Sequence, residues 1–370
     1  MSGRNFLDFL DTETRISHFR IMSSEKMRSV SIDNINPSLK DKIKSIKDPK
    51  LKKIWEQLEN EKEPIFRLEI CAQIQILDDK DLESYTYMNY AYCKLKEFDL
   101  AEKKLEILKK INPESFELFY CYARFHQEKN NFSESQIWWD KCLEIKPDDQ
   151  DVLNNKGNAL RNLGKYEEAI IQYDKALAIE PNNADALHNK GLALNNLGKH
   201  EEAIVQYDRA LSINPGDQDI LNNKGNAFDD LGKHEEAITQ YDKALEIDPN
   251  YKFVLHSKGR ALADLGKYEQ AISCYVESLA IYPDDVQTLG SQGVSLYHLG
   301  NYKHAIEYYD MALAIEPNDV VVLYNKSIAL LQLKKVTEAK SMITKVLQIE
   351  PDYTGATELL EQINKQLSIK

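Results

Sequence analysis

Apolar and polar positions along most of this chain recur with a single period of 34 residues. Counted in repeats that start at 82, 116, 150, 184, 218, 252, 286 and 320, leucine fills the fourth place as Leu153, Leu187, Leu221, Leu255, Leu289 and Leu323. Alanine fills the twentieth as Ala169, Ala203, Ala237, Ala271, Ala305 and Ala339, and tyrosine the twenty-fourth as Tyr173, Tyr207, Tyr241, Tyr275 and Tyr309. The twenty-seventh is mostly alanine again, at Ala176, Ala210, Ala244 and Ala312. Steps of three, four and seven place such residues on one buried stripe of a helix. Each repeat therefore predicts two short antiparallel helices, the second with thin faces that pack tightly. A repeat this small cannot bury its apolar face alone, so the pattern predicts a stacked array.

Proline and glycine punctuate the same register. Eight of the eleven prolines, Pro113, Pro147, Pro181, Pro215, Pro249, Pro283, Pro317 and Pro351, close successive repeats, where a residue without an amide donor stops the second helix. Gly164, Gly198, Gly232, Gly266 and Gly300, at the fifteenth place, fall where the first helix should end in a left-handed cap. Gly157, Gly191, Gly225, Gly259 and Gly293, at the eighth, lie inside the first helix. Glycine is unfavourable there by up to ~1 kcal/mol against alanine, which points to a close helix approach. Residues 354–370 carry Ala356, Leu359, Leu360, Ile363 and Leu367 on one stripe and predict a capping helix. Residues 51–81 predict a helical pair around Pro64, as a cap or a decayed repeat, and 1–50 a partly flexible N-terminal segment.

These repeats resemble tetratricopeptide repeats, whose small-residue, aromatic and terminal-proline pattern they match in order over about three quarters of the chain. The resemblance implies an all-α, right-handed α-solenoid of about eight antiparallel helix pairs with a C-terminal capping helix. Repeats 150–319 match it strongly. The two repeats of 82–149 depart, with Asn89 at a small-residue place, Lys96 and Asn130 for the turn glycine, and bulky Leu108 at a thin position, so looser packing is expected there. Repeat 320–353, the last of the six in 150–353, drifts at Ser327 and Lys334.

Composition narrows the function classes. The net charge is -13, and residues 82–370 hold 32 basic against 45 acidic residues. Nucleic-acid binding draws on Lys and Arg that neutralise phosphates, so no nucleic-acid partner is expected. No apolar run approaches the ~20 residues that span a bilayer, and residues 1–20 lack a secretory core. The expectation is a cytoplasmic chain without a membrane partner. Five scattered cysteines with no CxxC pair read as packing residues, and neither a metal nor another cofactor is expected.

Stacked hairpins curve, and the resemblance puts the first helices on the concave wall. Places two, five, six, nine, twelve and thirteen lie on the face opposite the packed positions. In 150–251 that face is rich in amides: Asn154, Asn155 and Asn158, then Asn189, Asn195 and Asn196, then Asn222, Asn223 and Asn226. Asparagine is a poor helix former, and a carboxamide can pair with both the carbonyl and the amide of an extended peptide. The sixth-place column Asn155, Asn189, Asn223 and Asn325 resembles the asparagine ladder of the O-linked N-acetylglucosamine transferases, which implies a peptide held by its main chain. Repeats 150–183 and 218–251 are identical at 25 of 34 places, so duplication alone could also have copied these asparagines. Two of their differences fall on the groove face, Arg161 and Asn162 becoming Asp229 and Asp230, as tuned side-chain selectivity would require. Further along, Phe253, His256, Ser257 and Arg260, then Gly290, Ser291, Val294, Tyr297 and His298, offer a surface for an anchor side chain.

The lysine and arginine pattern by which heat-shock cochaperones of this family hold a terminal carboxylate is missing from the fifth and sixth places. The column Lys156, Lys190, Lys224, Lys258 and Lys326 reads as residues that snorkel at the helix flank or pair with nearby acids rather than bind a ligand. His200 and His234, at the packing place that Tyr166 and Tyr268 fill elsewhere, read as core or turn residues, and acid pairs such as Glu167 and Glu168 as charge at helix starts. No catalytic constellation emerges. The sequence thus points to a non-catalytic scaffold or adaptor that binds protein or peptide partners. The alternative is a substrate-recruiting or regulatory subunit whose catalytic domain lies on another chain. Oligomeric state is left open.

Overall fold

The computed structural model describes Cys71 and residues 82–368. The segment 1–50 and nearly all of the expected helical pair at 51–81 lie outside the described residues. The described part is helical throughout, without strands, and forms two compact bodies that meet in sequence at Pro181 and Asn182.

The N-terminal body holds α1 (Leu82–Lys94), α2 (Phe98–Ile111), α3 (Phe116–Glu128), α4 (Phe132–Ile145), α5 (Gln150–Asn162) and α6 (Tyr166–Ile179). The C-terminal body holds α7 (Ala184–Asn196), α8 (His200–Ile213), α9 (Gln218–Asp230), α10 (His234–Ile247), α11 (Lys252–Asp264), α12 (Tyr268–Ile281), α13 (Val286–His298), α14 (Tyr302–Ile315), α15 (Val320–Gln332), α16 (Val336–Ile349) and α17 (Ala356–Ser368). In each body consecutive helices pack as pairs, and each pair packs on the next. The pairs coincide with the 34-residue repeats.

The interior glycines have a specific steric cause. A Cβ on Gly191, Gly225, Gly259 or Gly293 would stand 2.4 Å from Cε1 of the tyrosine on the second helix of its own pair, Tyr207, Tyr241, Tyr275 or Tyr309. Gly157 and Tyr173 repeat the arrangement in the N-terminal body. These tyrosines are almost wholly buried. In these repeats the eighth place must therefore be vacant for the twenty-fourth to be tyrosine.

The same pair of places accounts for the divergent repeats. Where the eighth place is Asn89 the twenty-fourth is Leu105, with Ala123 it is Trp139, and with Ser327 it is Ile343, all buried. Asn89 is also tied down, its Nδ2 donating to the Ala101 carbonyl at 2.9 Å. The looseness expected of 82–149 is thus met by paired size changes and a buried hydrogen bond, with Leu108 wholly buried in the α1–α3 core.

First helices end as the turn glycines require. Gly232 has φ +71, and Lys233 N donates to Phe228 O at 2.9 Å, the six-to-one bond of a Schellman cap. Lys96, Asn130 and Lys334 take the same left-handed conformation without being glycine, at φ 63, 59 and 59. All five cysteines are buried and none forms a disulfide, and burial pushes the Cys93 thiol up to about 12. At the C-terminal end Ala356 and Ile363 of α17 are buried against Leu323, Leu330 and Ile343.

Candidate peptide-binding face

First helices α3, α5, α7, α9 and α15 start on a side-chain cap, whereas α11 and α13, which follow Tyr251 and Asp285, do not. Asn183 Oδ1 accepts from Ala186 N at 2.9 Å, Asp217 Oδ1 from Ile220 N at 3.1 Å and Asp319 Oδ1 from Val322 N at 2.9 Å. In the C-terminal body the successive first helices α7, α9, α11, α13 and α15 contact one another in that order, so their inner faces form one surface. The lysine column lies beside it and is neutralised. Lys224 meets Asp208 at 2.6 Å and Lys258 meets Asp242 at 2.6 Å, while Lys326 pairs with Asp310. In the N-terminal body Lys156 meets Asp140 at 2.5 Å.

The asparagines divide by what they already hold. In the N-terminal body Asn155 Nδ2 donates to the Asp151 carbonyl at 2.8 Å, and its Oδ1 accepts from Arg124 at 3.0 Å. Asn158 Oδ1 accepts from the Tyr173 hydroxyl at 2.8 Å, and Asn226 repeats this with Tyr241 at 2.8 Å in the C-terminal body. Asn154 and Asn189 are half-buried on the same helix faces. Asn223 Nδ2 lies 2.9 Å from His188 Nε2, linking the sixth place of α9 to the fifth of α7. That bond makes His188 Nε2 the acceptor and puts the ring proton on Nδ1. Four of the expected groove-face asparagines, Asn155 and Asn223 of the ladder and Asn158 and Asn226 at the ninth place, are thus engaged within the fold.

Asn222 and Asn325 differ. The Asn222 side chain makes no hydrogen bond, is 9% exposed, and buries its Oδ1 without a donor. Asn325 is half-buried and likewise makes none.

The exchange at Asp229 and Asp230 builds a charged network that sequence spacing alone did not reveal. The Asp229 side chain is only 5% exposed, and its Oδ2 accepts from Arg260 Nε and Nη2 at 3.2 and 2.8 Å. Its Oδ1 lies 2.7 Å from His234 Nδ1. The Asp229 carboxylate raises the Arg260 pKa against the opposing effect of burial. Asp229, His234 and Asp264 bring ligand atoms within 4.8 Å of one another, with the Arg260 guanidinium supplying the positive charge at Asp229. His200 has the same turn role, its Nδ1 lying 2.7 Å from Asn195 Oδ1. The signal was present as a 31-residue separation, which places a ninth-place residue beside the twelfth place of the preceding helix.

His256 marks a change of surface. Thr288 donates its hydroxyl proton to Asp285 Oδ2 at 2.8 Å, so its oxygen accepts from His256 Nδ1 at 2.9 Å. Burial lowers the His256 pKa, with Arg260 acting in the same direction and Asp285 against it. The neutral ring then presents Nε2 as an acceptor. Beyond it the face turns apolar and aromatic, with Phe253 and Val321 exposed and Tyr297 packed on Tyr302 at 5.3 Å.

Comparison with protein families matches this chain to a TPR repeat model at 157–198 and to tetratricopeptide repeat models at 138–171, 184–217, 219–251, 256–320 and 296–363. A search of curated proteins found no match. Among solved structures, the chain resembles a tetratricopeptide repeat protein from Parabacteroides merdae at 19% identity and a TM-score of 0.54, covering 67% of this chain and 98% of that one. It also resembles PilF of Pseudomonas aeruginosa (20% identity, TM-score 0.51, 59% and 97% covered). The third is PilW, a type IV pilus biogenesis factor (21% identity, TM-score 0.52, 58% and 97% covered). These likenesses concern the fold, and with the repeat-model matches they establish that the chain belongs to the tetratricopeptide repeat family.

Proposed function

We propose that this protein is a non-catalytic scaffold that binds extended polypeptide segments along the first-helix faces of its C-terminal body. The repeat architecture supports a protein-interaction scaffold in general. The observation that carries the finer reading is Asn222. A buried, unpaired acceptor costs about 1–3 kcal/mol, and asparagine inside a helix is unfavourable to begin with. A half-turn about the soft χ2 torsion would exchange its oxygen and nitrogen and offer the acceptor to a main-chain amide on the face. Asn325, without a hydrogen bond of its own, supplies a second such group on α15. The engaged amides Asn155, Asn158, Asn223 and Asn226 brace the helices instead, as duplication of a structural residue would also leave them.

Selection of random displayed peptides against the full chain, followed by affinity measurements on the selected peptides, tests this. Asn222→Ala with Asn325→Ala should weaken peptide binding at least tenfold with the helical signal intact. Unchanged affinity in the double variant removes main-chain reading by these carboxamides.

A further inference from the structure

Gly290 is the interior helical glycine of the C-terminal body that no tyrosine explains. A Cβ there would meet only Val322 Cγ2, at an ordinary contact distance of 3.5 Å, whereas Gly191, Gly225, Gly259 and Gly293 each face a ring at 2.4 Å. Glycine is unfavourable inside a helix, so a position that could hold alanine and does not leaves a notch. The notch lies at the fifth place of α13, between the fifth-place side chains His256 of α11 and Tyr324 of α15. Second-place residues of the same two helices are large, apolar and open to solvent, Phe253 at 58% and Val321 at 52% exposure. Two sizeable apolar side chains thus stay in water on the two helices that flank Gly290, a position with room for at least a methyl group.

The N-terminal half of the same surface is acidic. Asp185, Asp219, Asp229, Asp230 and Asp264 stand at its second, twelfth and thirteenth places against one guanidinium, that of Arg260, which is bound to Asp229. The nearby lysines at the seventh place are no counterweight, since Lys224 and Lys258 are paired on the flank. Asp264 is exposed and makes no hydrogen bond or ion pair, while Asp230 accepts from Asn195 Nδ2 at 3.4 Å, lies 3.8 Å from His200 and attracts Arg260 at longer range.

We propose that this surface reads a two-part motif: a large apolar or aromatic side chain seated over Gly290 and a lysine or arginine against Asp264. The proposal rests on the peptide-binding reading above and names what the peptide must carry. α11 and α13 are adjacent, and the fifth and thirteenth places differ by eight residues of helical rise. The two subsites are therefore roughly 15 Å apart, or roughly four to five residues of extended chain. Charge complementarity selects the basic residue, and the open notch between Phe253 and Val321 selects the apolar one.

Peptides selected from a random displayed library against the full chain should be enriched for an apolar and a basic residue at that separation. Fluorescence anisotropy with a selected peptide then separates the two subsites. Gly290→Leu, which fills the notch, should weaken binding at least tenfold, and Gly290→Ala should do so less. Asp264→Asn should weaken it several-fold and flatten its dependence on salt. Circular dichroism of each variant confirms that the helices persist. Enriched peptides without the pair, or affinity unmoved by Gly290→Leu, overturn the motif while the carboxamide reading stands if the Asn222 and Asn325 double variant still binds at least tenfold more weakly. A library that yields no binding peptide overturns both.

Discussion

A methyl group at Gly225 would fall 2.4 Å from the Tyr241 ring, while one at Gly290 would fall 3.5 Å from Val322, so identical substitutions should have opposite signs. Gly225→Ala should lower the urea midpoint by overpacking worth about 1–3 kcal/mol, whereas Gly290→Ala should raise it by about 0.5–1 kcal/mol through helix propensity. The left-handed turn residues give a second sign test. Lys334→Gly, at φ 59, should be stabilising by about 1 kcal/mol and Gly232→Ala, at φ +71, destabilising by a similar amount, both read from thermal midpoints by circular dichroism. His256 adds a pH dependence. Its folded pKa lies below the ordinary 6.5, so the unfolded chain binds the proton first. Its contribution is fully present above 6.5 and is lost as pH falls from there towards the folded value. His256→Gln should therefore shrink the acid-side loss of stability in that window, and NMR titration of the ring should show its lowered pKa. Residue identity at these places was readable from the sequence, but whether a glycine was required or merely tolerated was not, because that depends on the atom facing it.

At the scale of the helix pair, the eighth and twenty-fourth places act as one steric unit, filled as Gly with Tyr, Ala with Trp, Ser with Ile, and Asn with Leu. This predicts strong coupling in a double-mutant cycle on α15 and α16. Ile343→Tyr alone should destabilise the C-terminal repeats by overpacking against Ser327. Adding Ser327→Gly should recover most of the loss, with a coupling of about 1–3 kcal/mol in denaturant melts. Helix positions and ends followed from period, proline and glycine, since these act locally through hydrogen bonding and allowed φ. The compensation in 82–149 was hidden because its partners stand 16 residues apart on facing helices and each looks like a departure when read alone.

In the C-terminal body, stability propagates from pair to pair, as in any array whose repeats contact only their neighbours. Helix α17 closes the last pair by burying Ala356 and Ile363. Ile363→Ala should destabilise the terminal repeats by about 2–5 kcal/mol through the cavity it leaves. Hydrogen exchange should show the lost protection concentrated in α15 and α16, and uniform loss from α7 onward would contradict nearest-neighbour propagation. Side-chain commitment across neighbouring pairs also decides the candidate site. Arg260 looks like a free groove cation in the sequence, yet it is bound to a buried Asp229, and Asn223 is held by His188.

The sequence by itself determined the 34-residue register, the all-helical pairing, the turn positions and which residues stand on the first-helix face. Those features follow from periodicity and backbone chemistry, which act within a few residues of one another. Only the tertiary structure decided which polar groups on that face are still unengaged. Hydrogen bonds and ion pairs between neighbouring helices join residues 31 to 35 apart, and their distances arise when the pairs stack. That stacking set Asn222, Asn325, Asp264 and the Gly290 notch apart from the asparagines that brace the fold.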